Sequence, residues 1–145
     1  MAYNIDPELL KEIQVTGITD ADYERAAKYK EDIEHVESLF NEGMYIYDLF
    51  KMNLFCVSPL SKSYFNIAKD DLVDYVFGHI NQEDNNVMWK LTGKCQEFVK
   101  LLPEKERKNY VFNYTTPIEQ DSVKTILNFK SRVLETAPDG RIWLE

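Results

Sequence analysis

The apolar positions of this chain change period several times, and each change marks an element. Leu9, Leu10 and Ile13 keep helical spacing behind Asp6-Pro7. Asp6 can cap this helix, and Pro7 loses nothing at a first helical position, where its N–H would be unpaired anyway. Gly17 ends that helix. Tyr23, Ala26, Ala27, Ile33, Val36, Leu39 and Phe40 then predict one longer helix, from a cap at Thr19 or Asp20 to Gly43. From residue 44 the period shortens. Residues 44–59, MYIYDLFKMNLFCVSP, read as two strands around a turn near Lys51-Met52-Asn53. Ser58-Pro59 closes the second strand, because proline cannot donate to a ladder.

Residues 60–78 hold no long periodic run and predict short helical turns, one over 62–65 and one from Asp70 or Asp71 to Val76. The helical period returns over 83–102, with Val87, Met88, Leu91, Cys95, Phe98, Val99 and Leu102 on one face. Gly93 is a weak point inside this helix, and Pro103 stops it. Two alternating strands follow. In 109–118, Tyr110, Phe112, Tyr114 and Thr116 oppose Val111 and Asn113. In 122–135, Val123, Thr125, Leu127, Phe129, Ser131 and Val133 oppose Lys124, Asn128, Lys130 and Arg132. Asp139-Gly140 predicts a hairpin turn into a last strand over 141–145. Helices and strands in separate blocks predict an α+β fold, and 145 residues suit one domain.

Charge and cysteine usage narrow the function classes. The chain carries 17 basic and 25 acidic residues, a net charge of −8, which argues against nucleic-acid contact by this chain. The densest basic run, Lys105, Arg107 and Lys108, is interleaved with Glu104 and Glu106 and reads as a solvated loop or helix end. Cys56 and Cys95 are too few for a disulfide framework and form no CxxC pair; they read as small core residues in a reducing compartment. Asp6 and Glu8 stand where a signal peptide needs positive charge, and no apolar run approaches the ~20 residues of a membrane span. The expectation is a cytoplasmic protein without membrane contact.

One stretch raises the question of chemistry. HINQED, residues 79–84, holds one of the two histidines with Glu83 and Asp84 behind it. A metal site would use His79 and Glu83 at i, i+4, which converge only if both lie on one helix. The helical pattern begins after His79, so the stretch reads as a helix entry capped by Asn81 or Asp84. His35, between Glu34 and Glu37, reads as a surface residue of the second helix. No Gly-rich phosphate loop, GxSxG or HExxH is present. The expectation is a protein that is not an enzyme and carries no cofactor and no metal.

The order of elements, the HINQED entry and the closing APDGRIWLE hairpin together resemble a PAS domain. In that family two strands, a run of short helices, a longer connecting helix and three strands make one five-stranded antiparallel sheet. A histidine–proline–acid–aspartate stretch often opens the connecting helix; His79 matches it, Ile80 replaces the proline, and Glu83 and Asp84 follow late. YDLFKMNLFCVSP, LLPEKERKNYVFNY and DGRIWL are similar to the N-terminal PAS-like regions of LuxR-type transcription regulators of Bacteroidetes. The resemblance implies an N-terminal helical cap over 1–43 and a PAS-like sensory domain over 44–145, with its last strand cut short. It further implies an output domain that binds DNA and lies outside this chain.

The sequence departs from the family at Glu119-Gln120-Asp121-Ser122, where an Asp-Gly turn is common, and at Ser58, where an asparagine is common. The flavin-photoreceptor signature is absent, and His79 precedes the helix on which haem-binding members carry their histidine. The resemblance implies a cavity between the sheet and the long helix, with Phe55, Phe65, Trp89, Phe98, Tyr114 and Phe129 as candidate walls; the alternative for each is that it only fills the core. Phe129 with Asn113 is the best candidate for its lined part. The partners implied are a small molecule and a second copy, paired through the amphipathic helix at 20–40. The alternative is a ligand-free interaction or dimerisation module.

Overall fold

The elements follow one another in blocks: α1 (Pro7–Ile13), α2 (Asp20–Ala26), α3 (Tyr29–Phe40), β1 (Tyr45–Asp48), β2 (Asn53–Val57), α4 (Pro59–Phe65), α5 (Lys69–Gly78), α6 (Gln82–Leu101), a 3₁₀ helix (Glu104–Asn109), β3 (Val111–Gln120), β4 (Val123–Arg132), β5 (Glu135–Thr136) and β6 (Ile142–Leu144). The computed structural model describes residues 4–65 and 69–145, with the backbone alone at 64, 65, 69–71 and 73. The fold is mixed α+β, as the changes of period predict.

The strands form two antiparallel sheets, one of four strands in the order β2-β1-β6-β5 and one of two, β3-β4. This corrects the expected single five-stranded sheet, and the cause is local. The strand expected over 122–135 breaks at Val133, which turns inward to 1% exposure, and at Leu134, whose N–H donates to Leu144 O at 2.9 Å. β6 has only three residues and spends its pairing on β5 and on Asp48 of β1. The ladder therefore does not reach β4, which pairs with β3 alone, from Val111–Arg132 to Gln120–Val123. Asp121 and Ser122 join that hairpin with φ of 49° and 65°, the two positive angles of a primed turn.

Two hydrophobic clusters share the central sheet. Tyr47, Leu54, Met88, Trp89, Val99 and Ile142 belong to one; Ala26, Ile33, Ile46, Ala137 and Trp143 belong to the other. Neighbours Ile46 and Tyr47, and Ile142 and Trp143, divide between the two, as the alternating faces of a strand require. The first cluster brings in α5 and α6, the second α2 and α3.

The helix expected over 20–40 is two helices. Thr19 and Asp22 form a capping box that starts α2, and the chain turns at Ala27 and Lys28 before α3. The break has a consequence for packing. Six residues along a straight helix leave side chains roughly 120° apart. At Ala27 and Lys28 the backbone stays right-handed but tightens to i→i+3 bonds, three residues per turn, which brings Tyr23 and Tyr29 toward one face, Tyr23 bonding to Asp48 and Tyr29 to Glu135 at 2.6 Å.

The buried face of α6 is also rotated from the expected one. Asn85, Met88, Trp89, Gly93, Gln96 and Val99 are buried, whereas Val87, Leu91 and Phe98 are 40–49% exposed. α6 is covered on one side by α1, which the apolar pattern alone cannot show. Gly93 is where α1 crosses: a Cβ there would meet Leu9 Cδ1 at 3.4 Å and Glu12 Oε2 at 3.5 Å. Gln96 fastens the crossing, its Nε2 donating to Ile13 O at 2.8 Å and Ile142 O at 3.0 Å while its Oε1 accepts from Ile142 N–H.

Candidate functional site

HINQED is the entry to α6. Asn81 is the cap, its Oδ1 accepting from Asp84 N–H at 2.9 Å. His79 lies before the helix, its Nδ1 2.6 Å from Tyr75 O and its carbonyl accepting from Glu119 N–H at 3.0 Å. His79 and Glu83 are therefore not on one helix. His79 instead ties the end of α5 to the far end of β3.

The inner face of the β3–β4 hairpin meets α6 in a small cluster of polar groups among aromatics. Tyr114 and Phe129 stack with ring centroids 4.9 Å apart, and Tyr45 meets Phe129 edge-on at 6.5 Å. Strand alternation brings Ser131 to the same face, where it donates to Glu145 Oε2 at 2.8 Å. Burial holds the Glu145 carboxyl above its usual range, with the Ser131 hydroxyl pulling the other way. Burial also pushes the phenols of Tyr45 and Tyr114 well above the ordinary tyrosine value, and Glu145 adds to both. Tyr45 as a whole residue is 38% exposed, at the edge of this cluster. Burial raises the Cys95 thiol, from α6, to about 11. Such a thiol stays protonated at neutral pH and is a poor nucleophile.

The structure does not gather the seven sequence candidates into one cavity. Tyr114 and Phe129 are together in the hairpin cluster. Trp89 is further along α6, stacked on Phe77 at 5.1 Å with the planes 9° apart and tilted against Tyr47. Phe98 sits at the other end of α6, edge-on to Tyr110 at 4.9 Å and Phe112 at 6.2 Å. Phe55 belongs to the opposite layer, near Tyr23 and under Lys30. Asn113 is exposed on the outer face of β3, opposite Lys130, so its pairing with Phe129 in one pocket is corrected: Phe129 lies opposite Tyr114. The side chain of Phe65 lies outside the described residues. The alternation along β3 already separated Asn113 from Tyr114. Tyr45, on β1, and Glu145, just past β6, complete the cluster, and no local pattern reveals that they meet the hairpin.

Two concavities stand out. One, of about 270 Å³, lies where α5 hands over to α6 and includes Asp74, Phe77, Gln82, Asn85 and Trp89 in its lining. The other, of about 420 Å³, is a shallower groove by the β1–β2 turn with Tyr23, Lys30, Asp48, Lys51 and Phe55. Each holds one of the sequence candidates, Trp89 and Phe55. Among the described residues no group of three or more His, Cys, Asp or Glu is placed to hold a metal ion, and no helix is long and apolar enough to cross a membrane.

No family model matches the chain, and neither a curated protein nor a solved structure does.

Proposed function

We propose that this chain is a sensory module of the PAS-like kind. It holds a small molecule or a partner and passes the resulting change to an output domain that binds DNA and lies outside the chain. The observation that carries the reading is the arrangement of the strands. If β4, Val133, Leu134 and β5 are followed as one bent strand, five antiparallel strands run in the order β2, β1, β6, β5/β4, β3. Short helices α4 and α5 and the longer α6 connect β2 to β3, the order the resembled family has. The last strand, β6, stands between β1 and β5, so its position responds to both halves of the sheet. On this reading the chain is not an enzyme, acts in the cytoplasm and makes no direct contact with nucleic acid, in keeping with its net charge of −8.

The test is a thermal-shift screen of the purified chain against a library of small metabolites, followed by hydrogen exchange on each hit. A ligand at a hundred times its Kd stabilises the native state by about 2.7 kcal/mol. The expected result is at least one compound that raises Tm and slows exchange in β6. A library with no hit, or hits that leave β6 unchanged, overturns the small-molecule form of the sensory reading.

A ligand-free dimerisation module is the second reading, and it has its own observation. Leu39 and Phe40, at the end of α3, are 66% and 65% exposed. Two large apolar side chains side by side on an amphipathic helix suit contact with a second copy. Sedimentation at increasing concentration decides it: a monomer throughout removes this reading.

A further inference from the structure

Asn85, in the lining of the cavity between α5 and α6, has a buried acceptor with no partner among the described residues. Asn85 is 8% exposed. Its Nδ2 donates to Phe77 O at 3.0 Å and Ile80 O at 3.2 Å. Both partners are carbonyls, so the amide can face only one way. Oδ1 must point to the other side, and among the described residues it has no hydrogen-bond partner. A buried unpaired acceptor costs about 1–3 kcal/mol, which a donor from a ligand would recover.

The electrostatics of the cavity give the donor a sign. Among the described residues of its lining Asp74 is the one that carries a charge, beside the amides of Asn4 and Gln82. α5 ends here with Phe77 and Gly78, and its last turn carries no basic residue to balance the negative end of the helix dipole. The positive end of α6 is already answered, by the Asn81 cap and by Glu83 and Asp84 in the first turn. Phe77 and Trp89 form the apolar wall, stacked on each other. A space of about 270 Å³ takes only a small molecule.

We propose that this cavity binds a small organic ammonium ion, its N–H donating to Asn85 Oδ1, its charge facing Asp74 and its short alkyl part against Phe77 and Trp89. The proposal rests on the sensory reading and names the ligand class for it.

The test uses the whole chain with n-butylammonium, butyramide and butyrate as probes, followed by NMR of the Asn85 side-chain amide and the Trp89 indole. The expected result is saturable binding of n-butylammonium that moves both signals, with butyrate not binding. Asp74→Asn, at an exposed position, weakens the ammonium about fivefold to tenfold and leaves Tm unchanged. Butyramide binding as tightly as the ammonium, with Asp74→Asn without effect, overturns the cation class. No movement of the Asn85 signal with any probe overturns the site. That last outcome leaves the sensory reading standing if the metabolite screen finds a compound acting elsewhere, so the two can fail separately.

Discussion

Asp48 shows how much one residue can organise. It is 1% exposed at the end of β1. Its Oδ1 accepts from Phe50 N–H at 2.8 Å and Lys51 N–H at 3.1 Å, closing the β1–β2 turn, and from Trp143 Nε1 at 3.1 Å. Its Oδ2 accepts from the Tyr23 hydroxyl, whose own proton is held more tightly because the group is buried and bonded to this carboxylate. One carboxylate thus joins a turn, α2 and β6. Asp48→Asn removes the charge that the four donors share and replaces one acceptor oxygen with an amide N–H₂. The expected loss is about 1–3 kcal/mol, read from the urea midpoint at pH 7. An unchanged midpoint would show that the four bonds add no net stability. Sequence reading placed Asp48 inside a strand but had no way to find its role, since Tyr23 and Trp143 are far away along the chain.

At the scale of elements, turns and caps follow local chemistry closely. Asp6 caps α1, Thr19 caps α2 and Asn81 caps α6, each a position visible from residue type. Asp139-Gly140 turns the chain toward β6 with Gly140 at φ 88°, and Arg141 reaches back to cap α1 through the carbonyls of Lys11 at 3.2 Å and Glu12 at 3.0 Å. The β3–β4 turn is less well suited to its shape. Ser122 occupies a left-handed position, φ 65°, where glycine carries no Cβ penalty. Ser122→Gly is expected to stabilise the chain by about 1 kcal/mol, measured by thermal or urea unfolding. A destabilised variant would mean that the serine side chain has a role in the turn that outweighs its backbone strain.

The whole molecule carries a pH dependence set by burial. The Glu145 carboxyl is held above its ordinary value of 4.5 by burial, against the Ser131 hydroxyl. The folded chain therefore keeps a proton that the unfolded chain has released, and stability falls as pH rises through the folded value. The cost is absent below about 4.5 and complete once the folded group has ionised. Glu145→Gln removes it. The variant is expected to exceed the parent in Tm at pH 8 and to match it near pH 4, in parallel melts. A difference that does not change with pH would assign the effect to packing instead.

The sequence by itself determined the elements: their type, most of their ends and the α+β class. These depend on residues within one or two turns of each other, which is the range over which period, capping and turn chemistry act. It also settled that HINQED begins a helix. Tertiary structure decided the rest. The break at Val133–Leu134, the split of the 20–40 helix, the rotation of α6 toward Gly93 and Gln96, and the dispersal of Phe55, Phe98 and Asn113 from Phe129 all follow from which surfaces meet. Those contacts join residues tens of positions apart, and a hydrophobic pattern states only that a face is buried, not which partner buries it.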